Sequence, residues 1–197
     1  FRFASARIMK GKGRSMNLPV LYLDNRVISN LGEPEFDVDS DDVDRHVVDE
    51  LRPAVGDHVG VVDSSHDYFE CEVVHVEKPF RLRIAQRCGA PECDFDLTVV
   101  QGICAPEKMD AIVAAATEIG ASRIVPLTCV RGAQIDRRHV DETSKRWRDT
   151  ARRVAMLSGQ PSSPIVEDPI NMHDAGYGLS TRDCVLVCYE QASAQSI

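Results

Sequence analysis

The chain has 197 residues, 43% of them apolar, and carries a net charge of −8. Its length and apolar content suffice for one large domain or two small ones with a real core, which excludes a wholly disordered protein. The acidic balance disfavours a general nucleic-acid binder, and the lack of a long apolar run excludes a membrane-spanning helix.

The first eighty-odd residues are predicted to form a small, strand-rich barrel with one helix. A strand is predicted at 18–24 and the helix at 43–52. The β-branched runs HVGVVD and YFECEVVHV flank the short loop SSHD, which is typical of a hairpin, and LRIAQR predicts one more strand. Gly, Pro and polar residues at 88–94 indicate a linker that ends this unit.

After the linker, apolar strands alternate with helices. Strands are predicted at 95–103, 121–127 and 183–190, with helices at 106–120 and 141–159 between them. Continuous apolar strands joined by helices are typical of a parallel sheet with crossover connections, and such sheets bind ligands at the carboxyl ends of their strands. We expect Pro126 to mark the point where the second strand leaves the sheet at that edge.

Charge is distributed unevenly along the chain. Between residues 33 and 50 there are nine acidic residues and one basic residue. Between residues 131 and 153 there are eight Lys or Arg against four acids. Because a local basic face governs docking on a polyanion more than the net charge does, this second segment is the candidate surface for docking a polyanion.

The seven cysteines include no CxxC pair, and no histidine cluster completes a metal site. This usage is typical of a reduced, cytosolic protein without a bound metal. The sequence also lacks a Gly-rich phosphate loop and a nucleophilic Cys or Ser arranged with a His.

Two segments of the second half resemble a known family. KMDAIVAAATEIGASRIVPL followed by KRWRDTARRVAMLSG resembles the ribosomal RNA small subunit methyltransferase E family, which is similar in architecture to other knotted SPOUT methyltransferases. In the first half, DVDRHVVDELRPAVGDHVGVVD resembles the histidine-LR-GD segment of the family's PUA-like barrel. The likeness covers roughly residues 42 to 190.

The resemblance implies a mixed α/β protein, α+β over the whole chain. It implies a PUA-like RNA-binding barrel over residues 1–88 and a SPOUT-type α/β methyltransferase domain over residues 95–197, incomplete at its C-terminus. It further implies methyl transfer from S-adenosylmethionine to N3 of one uridine in 16S ribosomal RNA. The expected partner is this RNA or the small ribosomal subunit, with no DNA and no membrane. The expected state is a cytoplasmic homodimer that acts in ribosome biogenesis.

The resemblance and the predicted strand ends together give the candidate site residues. Arg131, just past the second strand, is the candidate catalytic residue, because nearby positive charge would lower the pKa of the uridine N3 proton. Tyr189 and Glu190 end the third predicted strand, where the cofactor pocket begins in similar proteins. The candidate nucleic-acid contacts are His46, Arg52, Arg146, Arg148 and Arg152. The alternatives are a half-buried histidine, a charge at a helix end and a solvated helix face.

Several positions depart from the family pattern. The family's GPEGG and R-x-E-T-A segments do not occur within the 197 residues, so we expect these residues alone to be inactive and to bind S-adenosylmethionine weakly or not at all. Apolar or neutral residues replace family polar residues at Ala105, Ala115, Val130, Leu157 and Gln160. A second function class therefore stays open: a non-catalytic RNA-binding or dimerising relative that has lost cofactor binding.

Overall fold

The structure is a computed structural model of the chain. It describes residues 18–28, 34–38, 45–89, 96–130, 132–133, 135–174 and 184–187, with only the backbone described at 45–47 and 137. The elements of the first part are β1 (Val20–Leu23), β2 (Glu35–Val38), α1 (Arg45–Leu51), β3 (His58–Asp63), β4 (Tyr68–His75) and β5 (Phe80–Cys88). Those of the second part are β6 (Thr98–Gly102), α2 (Pro106–Glu118), β7 (Arg123–Thr128), α3 (Val140–Ser158), β8 (Ile165–Val166) and β9 (Ile170–Asn171).

The first sheet has five strands in the order β1-β3-β4-β5-β2. β1 runs parallel to β3, and the other neighbours are antiparallel. Burial alternates along β4, so that Phe69, Cys71 and Val73 point into the core while the residues between them are half-buried. The predicted hairpin of β3 and β4 is confirmed; the alternation gives β4 one buried side, whereas β3 is buried from Val59 to Asp63.

β2 lies in the acidic stretch, where the sequence predicts no strand. It pairs with β5, whose arginines meet its carboxylates: Arg81 Nε lies 2.6 Å from Asp37 Oδ1, and Arg83 Nη2 lies 2.8 Å from Glu35 Oε1. Cross-strand pairs of opposite charge stabilise neighbouring strands. The acidic residues of β2 are therefore part of a paired surface rather than a free anionic patch.

The second sheet is parallel, in the order β6-β7-β8, with β9 also paired to β7. The predicted succession of strand, helix, strand and helix is confirmed for β6, α2, β7 and α3. Pro106 occupies the first turn of α2. Both helices stop at left-handed glycines, Gly120 with φ of 84° and Gly159 with φ of 77°, where residues with a Cβ would be strained.

Pro126 lies inside β7, opposite Gln101 of β6, so the prediction that it marks the strand's exit is wrong. On the other side of β7, Ile124 O accepts a hydrogen bond from the Glu167 N–H, and two residues later Pro126 has no N–H to donate. The break between β8 and β9, with one extra residue, lies opposite this position. The missing donor therefore faces an interrupted neighbour, and β7 leaves the sheet after Thr128.

The prediction of a third strand at 183–190 is wrong for residues 184–187, the part of this segment that the structure describes. Residues 184–187 form no strand, and Val185, Leu186 and Val187 are 47%, 70% and 82% exposed. β7 already has β6 on one side and the β8 and β9 segments on the other. A central strand has two edges, and short segments much nearer in sequence occupy the second one.

Helix α3 belongs to both hydrophobic cores. Trp147 and Ala151 pack in the core of the second sheet, whereas Ala155 and Met156 pack in the core of the first. Its two ends thus contact different sheets. The mixed α/β architecture is confirmed, and the PUA-like and SPOUT-type assignments, with their boundaries at 88 and 95, stay predictions. None of the helices in the described ranges combines the length and apolarity needed to cross a bilayer.

Cysteine reactivity offers a test of this packing. Cys71 is fully buried in the first core, and burial raises the pKa of its thiol to about 12, whereas Cys184 is exposed. Since the thiolate is the nucleophile, we expect iodoacetamide at pH 8 to label Cys184 while Cys71 stays unlabelled. Peptide mass mapping assigns the sites, and denaturant should make both react. Equal labelling in the native protein would contradict the fold.

Candidate functional site

The carboxyl edge of the parallel sheet is where the sequence predicts ligand binding. The two connections that leave this edge are bonded to each other. The Ile103 N–H donates to Leu127 O at 2.9 Å, and the Ala133 N–H donates to Ile103 O at 3.0 Å. The chain after β6 and the chain after β7 therefore lie side by side just beyond the sheet, which fixes the backbone there.

Gly132 makes this junction possible. A Cβ built on it would lie 2.8 Å from Ile103 O and 3.3 Å from the Cys129 Cβ, closer than real side chains approach a carbonyl. Its N–H donates to Cys129 O at 3.1 Å. Arg131 itself lies outside the described residues, but the residues on both sides of it are at the predicted edge.

The far side of the same edge is closed by β9. The Thr128 hydroxyl donates to Ile170 O at 2.9 Å, and the Asn171 side-chain amide donates to Asp174 Oδ2 at 2.7 Å. Sequence reasoning did not single out Thr128 or Gly132. The available signal was their position directly after an apolar strand in a parallel unit. The predicted cofactor residues Tyr189 and Glu190 lie outside the described residues.

The basic segment forms an open groove along one face of α3. Its volume is about 670 Å³, and its lining residues are His139, Glu142, Thr143, Lys145, Arg146, Asp149, Thr150 and Arg153. Positive and negative side chains alternate along this face. A polyanion that docks in the groove must therefore compete with the protein's own carboxylates.

Each of the three predicted RNA contacts on α3 is already ion-paired. Arg146 Nη2 lies 3.3 Å from Asp110 Oδ1. Arg148 Nη2 lies 2.5 Å from Asp168 Oδ1, and its Nε donates to Val166 O at 3.0 Å. The Ser144 hydroxyl and Arg148 together hold the pKa of Asp168 below its usual value. Arg148 therefore ties α3 to β8, whatever else it binds.

The third residue, Arg152, faces away from that groove. Its Nη2 lies 2.5 Å from Asp24 Oδ2, just after β1. The structure thus separates the predicted set: Arg146 and Arg148 lie against α2 and β8, and Arg152 lies against the first sheet. Exposed ion pairs of this kind contribute about 0–1 kcal/mol, so phosphates can replace the carboxylates.

The two remaining RNA candidates lie on or beside α1. The backbone of His46 is helical, and Arg52 is exposed just after the helix with φ of 45°. α1 reaches the last turns of α3, where Arg153 Nη1 lies 3.0 Å from Glu50 Oε2. These candidates are therefore on the side of the molecule where the first sheet meets α3.

Two positions that depart from the family pattern have structural partners here. Leu157 packs against the first core, and the Gln160 side-chain amide donates to Glu118 O at 3.2 Å, at the end of α2. Val130, by contrast, is fully exposed next to Arg131. Within the described ranges, no three His, Cys, Asp or Glu side chains are close enough together to hold a metal ion.

Comparison with known proteins assigns this architecture to a class. A family model described as an RNA methyltransferase domain matches residues 91–197, which is more than half of the chain. The chain therefore belongs to this family of RNA methyltransferase domains. The resemblance to ribosomal RNA small subunit methyltransferase E is confirmed by curated relatives of that name. The relative from Bacillus subtilis is 26% identical over 167 residues, which is 82% of this chain and 64% of the relative. The chain thus spans less than two thirds of that protein.

The relative from Mycobacterium tuberculosis is 26% identical over 122 residues, which is 59% of this chain and 47% of the relative. Among solved structures, ribosomal RNA small subunit methyltransferase E from Neisseria gonorrhoeae, bound to S-adenosylmethionine, is similar with a TM-score of 0.60 and 19% identity, covering 80% of this chain and 64% of that one. A Legionella pneumophila protein described as a methyltransferase, also with S-adenosylmethionine, gives 0.66 and 18%, covering 90% and 72%. At this identity the likeness shows a shared fold.

Proposed function

We propose that the protein methylates N3 of one uridine in 16S ribosomal RNA, with S-adenosylmethionine as the methyl donor. The observation that supports this best is the unit from β6 to α3: it lies in the segment that matches the RNA methyltransferase family, and its carboxyl edge is fixed by backbone hydrogen bonds. The first sheet is proposed to be the PUA-like RNA-binding part, residues 1–88, and the rest, residues 95–197, the SPOUT-type domain. The working state is proposed to be a homodimer.

The protein's main contribution to this reaction is to position the cofactor and the uridine rather than to form covalent bonds with them. The cofactor supplies a methyl group that its sulfonium already activates, so alignment with the uridine N3 atom provides much of the rate. Arg131, next to the fixed junction at Gly132, is proposed to lie near the base and to ease loss of the N3 proton by its positive charge. Glu190 and Tyr189 are proposed to contact the cofactor, with the carboxylate accepting a hydrogen bond from a ribose hydroxyl.

Nucleoside analysis of ribosomal RNA tests this function. Disrupting the gene in its source organism should remove one 3-methyluridine from 16S ribosomal RNA, and the restored gene should return it. A matched gene with Arg131→Ala should fail to restore it while the protein accumulates normally. If the disruption leaves every 3-methyluridine in place, the proposed function is wrong.

RNA docking is proposed to involve Arg146, Arg148 and Arg131 on one side of the molecule. On the other side it is proposed to involve His46 and Arg52, on and beside α1. Each phosphate contact releases counterions, so affinity falls with salt. We expect the double change Arg146→Ala and Arg148→Ala to flatten the salt slope by about two contacts. Filter binding of a small-subunit RNA fragment at several salt concentrations measures the slope.

The control removes one arginine from an exposed ion pair at the amino end of β7, Arg123→Ala, and is compared with the single variants Arg146→Ala and Arg148→Ala, each of which should flatten the slope by about one contact. The net charge changes equally in these three single variants, so a difference in slope reports the position of the charge. Thermal melts show whether loss of the Arg148 link to β8 unfolds the protein. If Arg146→Ala and Arg148→Ala show the same slope as Arg123→Ala, α3 is not the docking face.

A further inference from the structure

One tyrosine joins the first sheet to the far end of α3. Tyr22 of β1 is 5% exposed, and its hydroxyl donates to Gln160 O at 2.8 Å, two residues after α3 ends. Desolvation raises the pKa of Tyr22, so the hydroxyl stays protonated and able to donate at physiological pH. The same Gln160 binds the end of α2 through its side chain. A single residue thus contacts the ends of both helices and a strand of the other sheet.

Arg152 covers this tyrosine. Its guanidinium carbon lies 5.1 Å from the centre of the Tyr22 ring, within cation–π range, and its Nη2 lies 2.5 Å from Asp24 Oδ2. Tyr22 and Asp24 both belong to the β1 region. We refer to Tyr22, Asp24, Arg152 and Gln160 as the inter-sheet clamp.

The packing around the clamp leaves α3 little freedom to tilt against the first sheet. Ala155 and Met156 are fully buried in the first core, and Leu157 packs against it. The other half of the same helix is buried with the second sheet through Trp147 and Ala151. Since one continuous helix of 19 residues enters both cores, the contacts at its last turns set the angle between the two sheets.

We infer that Tyr22 and Arg152 are positioning residues for ribosomal RNA methylation. The clamp holds the first sheet at a fixed orientation, so that RNA gripped by both parts presents its uridine at the carboxyl edge of the parallel sheet. This inference rests on the proposed function. Misplacing a substrate by a small distance costs rate even when it still binds, so a loosened clamp should lower kcat more than it weakens RNA binding.

Arg152 can act as a clamp residue or as a phosphate contact, and the variant Asp24→Asn distinguishes these two roles. If Arg152 bound phosphate, Asp24→Asn would remove a competing anion and tighten RNA binding. If Arg152 is a clamp residue, Asp24→Asn frees it from its partner. We then expect kcat to fall about threefold, the size of effect that an exposed ion pair can exert, with KM for RNA little changed.

The experiment compares methylation kinetics on small-subunit particles for the whole gene product, four clamp variants and one control variant. Asp24→Asn and Arg152→Ala should both lower kcat. Tyr22→Phe should lower kcat about tenfold, because the partly buried Gln160 carbonyl loses its hydrogen-bond donor. Arg152→Lys should recover part of the loss. Asp67→Asn, which removes a carboxylate paired with Arg87 inside the first sheet, is the control and should behave as wild type.

Thermal melts exclude unfolding at the assay temperature as the cause. Wild-type kcat in Asp24→Asn and Tyr22→Phe, or tighter RNA binding in Asp24→Asn, would overturn the clamp. If the wild-type protein shows no methylation at all, the proposed function fails instead. In that case the clamp is tested by the distribution of distances between spin labels on β4 and α2. This distribution should broaden in Tyr22→Phe, and an unchanged distribution would overturn the clamp.

Discussion

Replacing Trp147 by alanine is expected to lower the free energy of unfolding by about 3–5 kcal/mol, the largest stability effect of any single change proposed for this chain. Trp147 is 1% exposed and packs in the second core with Met109 and Val113 of α2 and Ile124 of β7. Truncation would leave a large cavity beneath α3. Because α3 also enters the first core, the loss of stability should affect both sheets.

The matched variant is Trp147→Phe. Among the described residues the Trp147 indole N–H has no hydrogen-bond partner, so phenylalanine loses volume but no hydrogen bond. We expect a smaller loss of about 1–2 kcal/mol for it. Because the chain has a single tryptophan, urea unfolding is followed by circular dichroism rather than fluorescence. A loss below about 1 kcal/mol for Trp147→Ala would mean that the second core is not packed as described.

Replacing Gly132 by alanine is expected to reduce methylation about 100-fold with a much smaller effect on folding. The added Cβ would lie 2.8 Å from Ile103 O, a backbone atom that is itself held by the Ala133 N–H. The junction must open to accept it, and the segment that contains Arg131 moves with the junction. Under the proposed function, the loss therefore comes from displacement of Arg131, the proposed catalytic residue.

Gly89→Ala is the control for this prediction, since a Cβ there meets nothing within 4 Å. Methylation of small-subunit particles and the thermal midpoint are measured for both variants of the whole gene product. Gly132→Ala should lose activity while it melts within a few degrees of wild type, and Gly89→Ala should match wild type in both. Full activity in Gly132→Ala would show that this junction does not position the reacting groups.

Much of the second sheet could be predicted because the sequence features that define its strands and helices are local. β7 is a run of apolar residues, α2 begins with Pro106, and the helices end at Gly120 and Gly159. Each signal acts within a few residues of the chain. The strand that follows the last helix could not be predicted, because β8 and β9 have two residues each and show no period. The longer apolar run at 184–187 satisfies the pattern without pairing.

Long-range pairing explains the other differences. β2 forms in an acidic stretch because Arg81 and Arg83 of a distant strand meet its carboxylates, and nothing near β2 in sequence signals this. The same holds for the basic helix. The sequence shows a dense positive segment, but the partners of Arg148 and Arg152 are Asp168 and Asp24, whose positions only the fold defines. The strand-end argument brought attention to Arg131, and it stays a prediction.

Methyl transfer in a purified system tests the central claim most directly. Small ribosomal subunits are isolated from a strain in which the gene is disrupted, and are incubated with the purified product of the whole gene and methyl-labelled S-adenosylmethionine. The proposed function predicts about one labelled methyl group per subunit, recovered as 3-methyluridine at a single position of the 16S ribosomal RNA. Subunits from the wild-type strain should accept none, because that position is already modified. Label that is absent, or that appears on another base or on subunits from both strains alike, would contradict it.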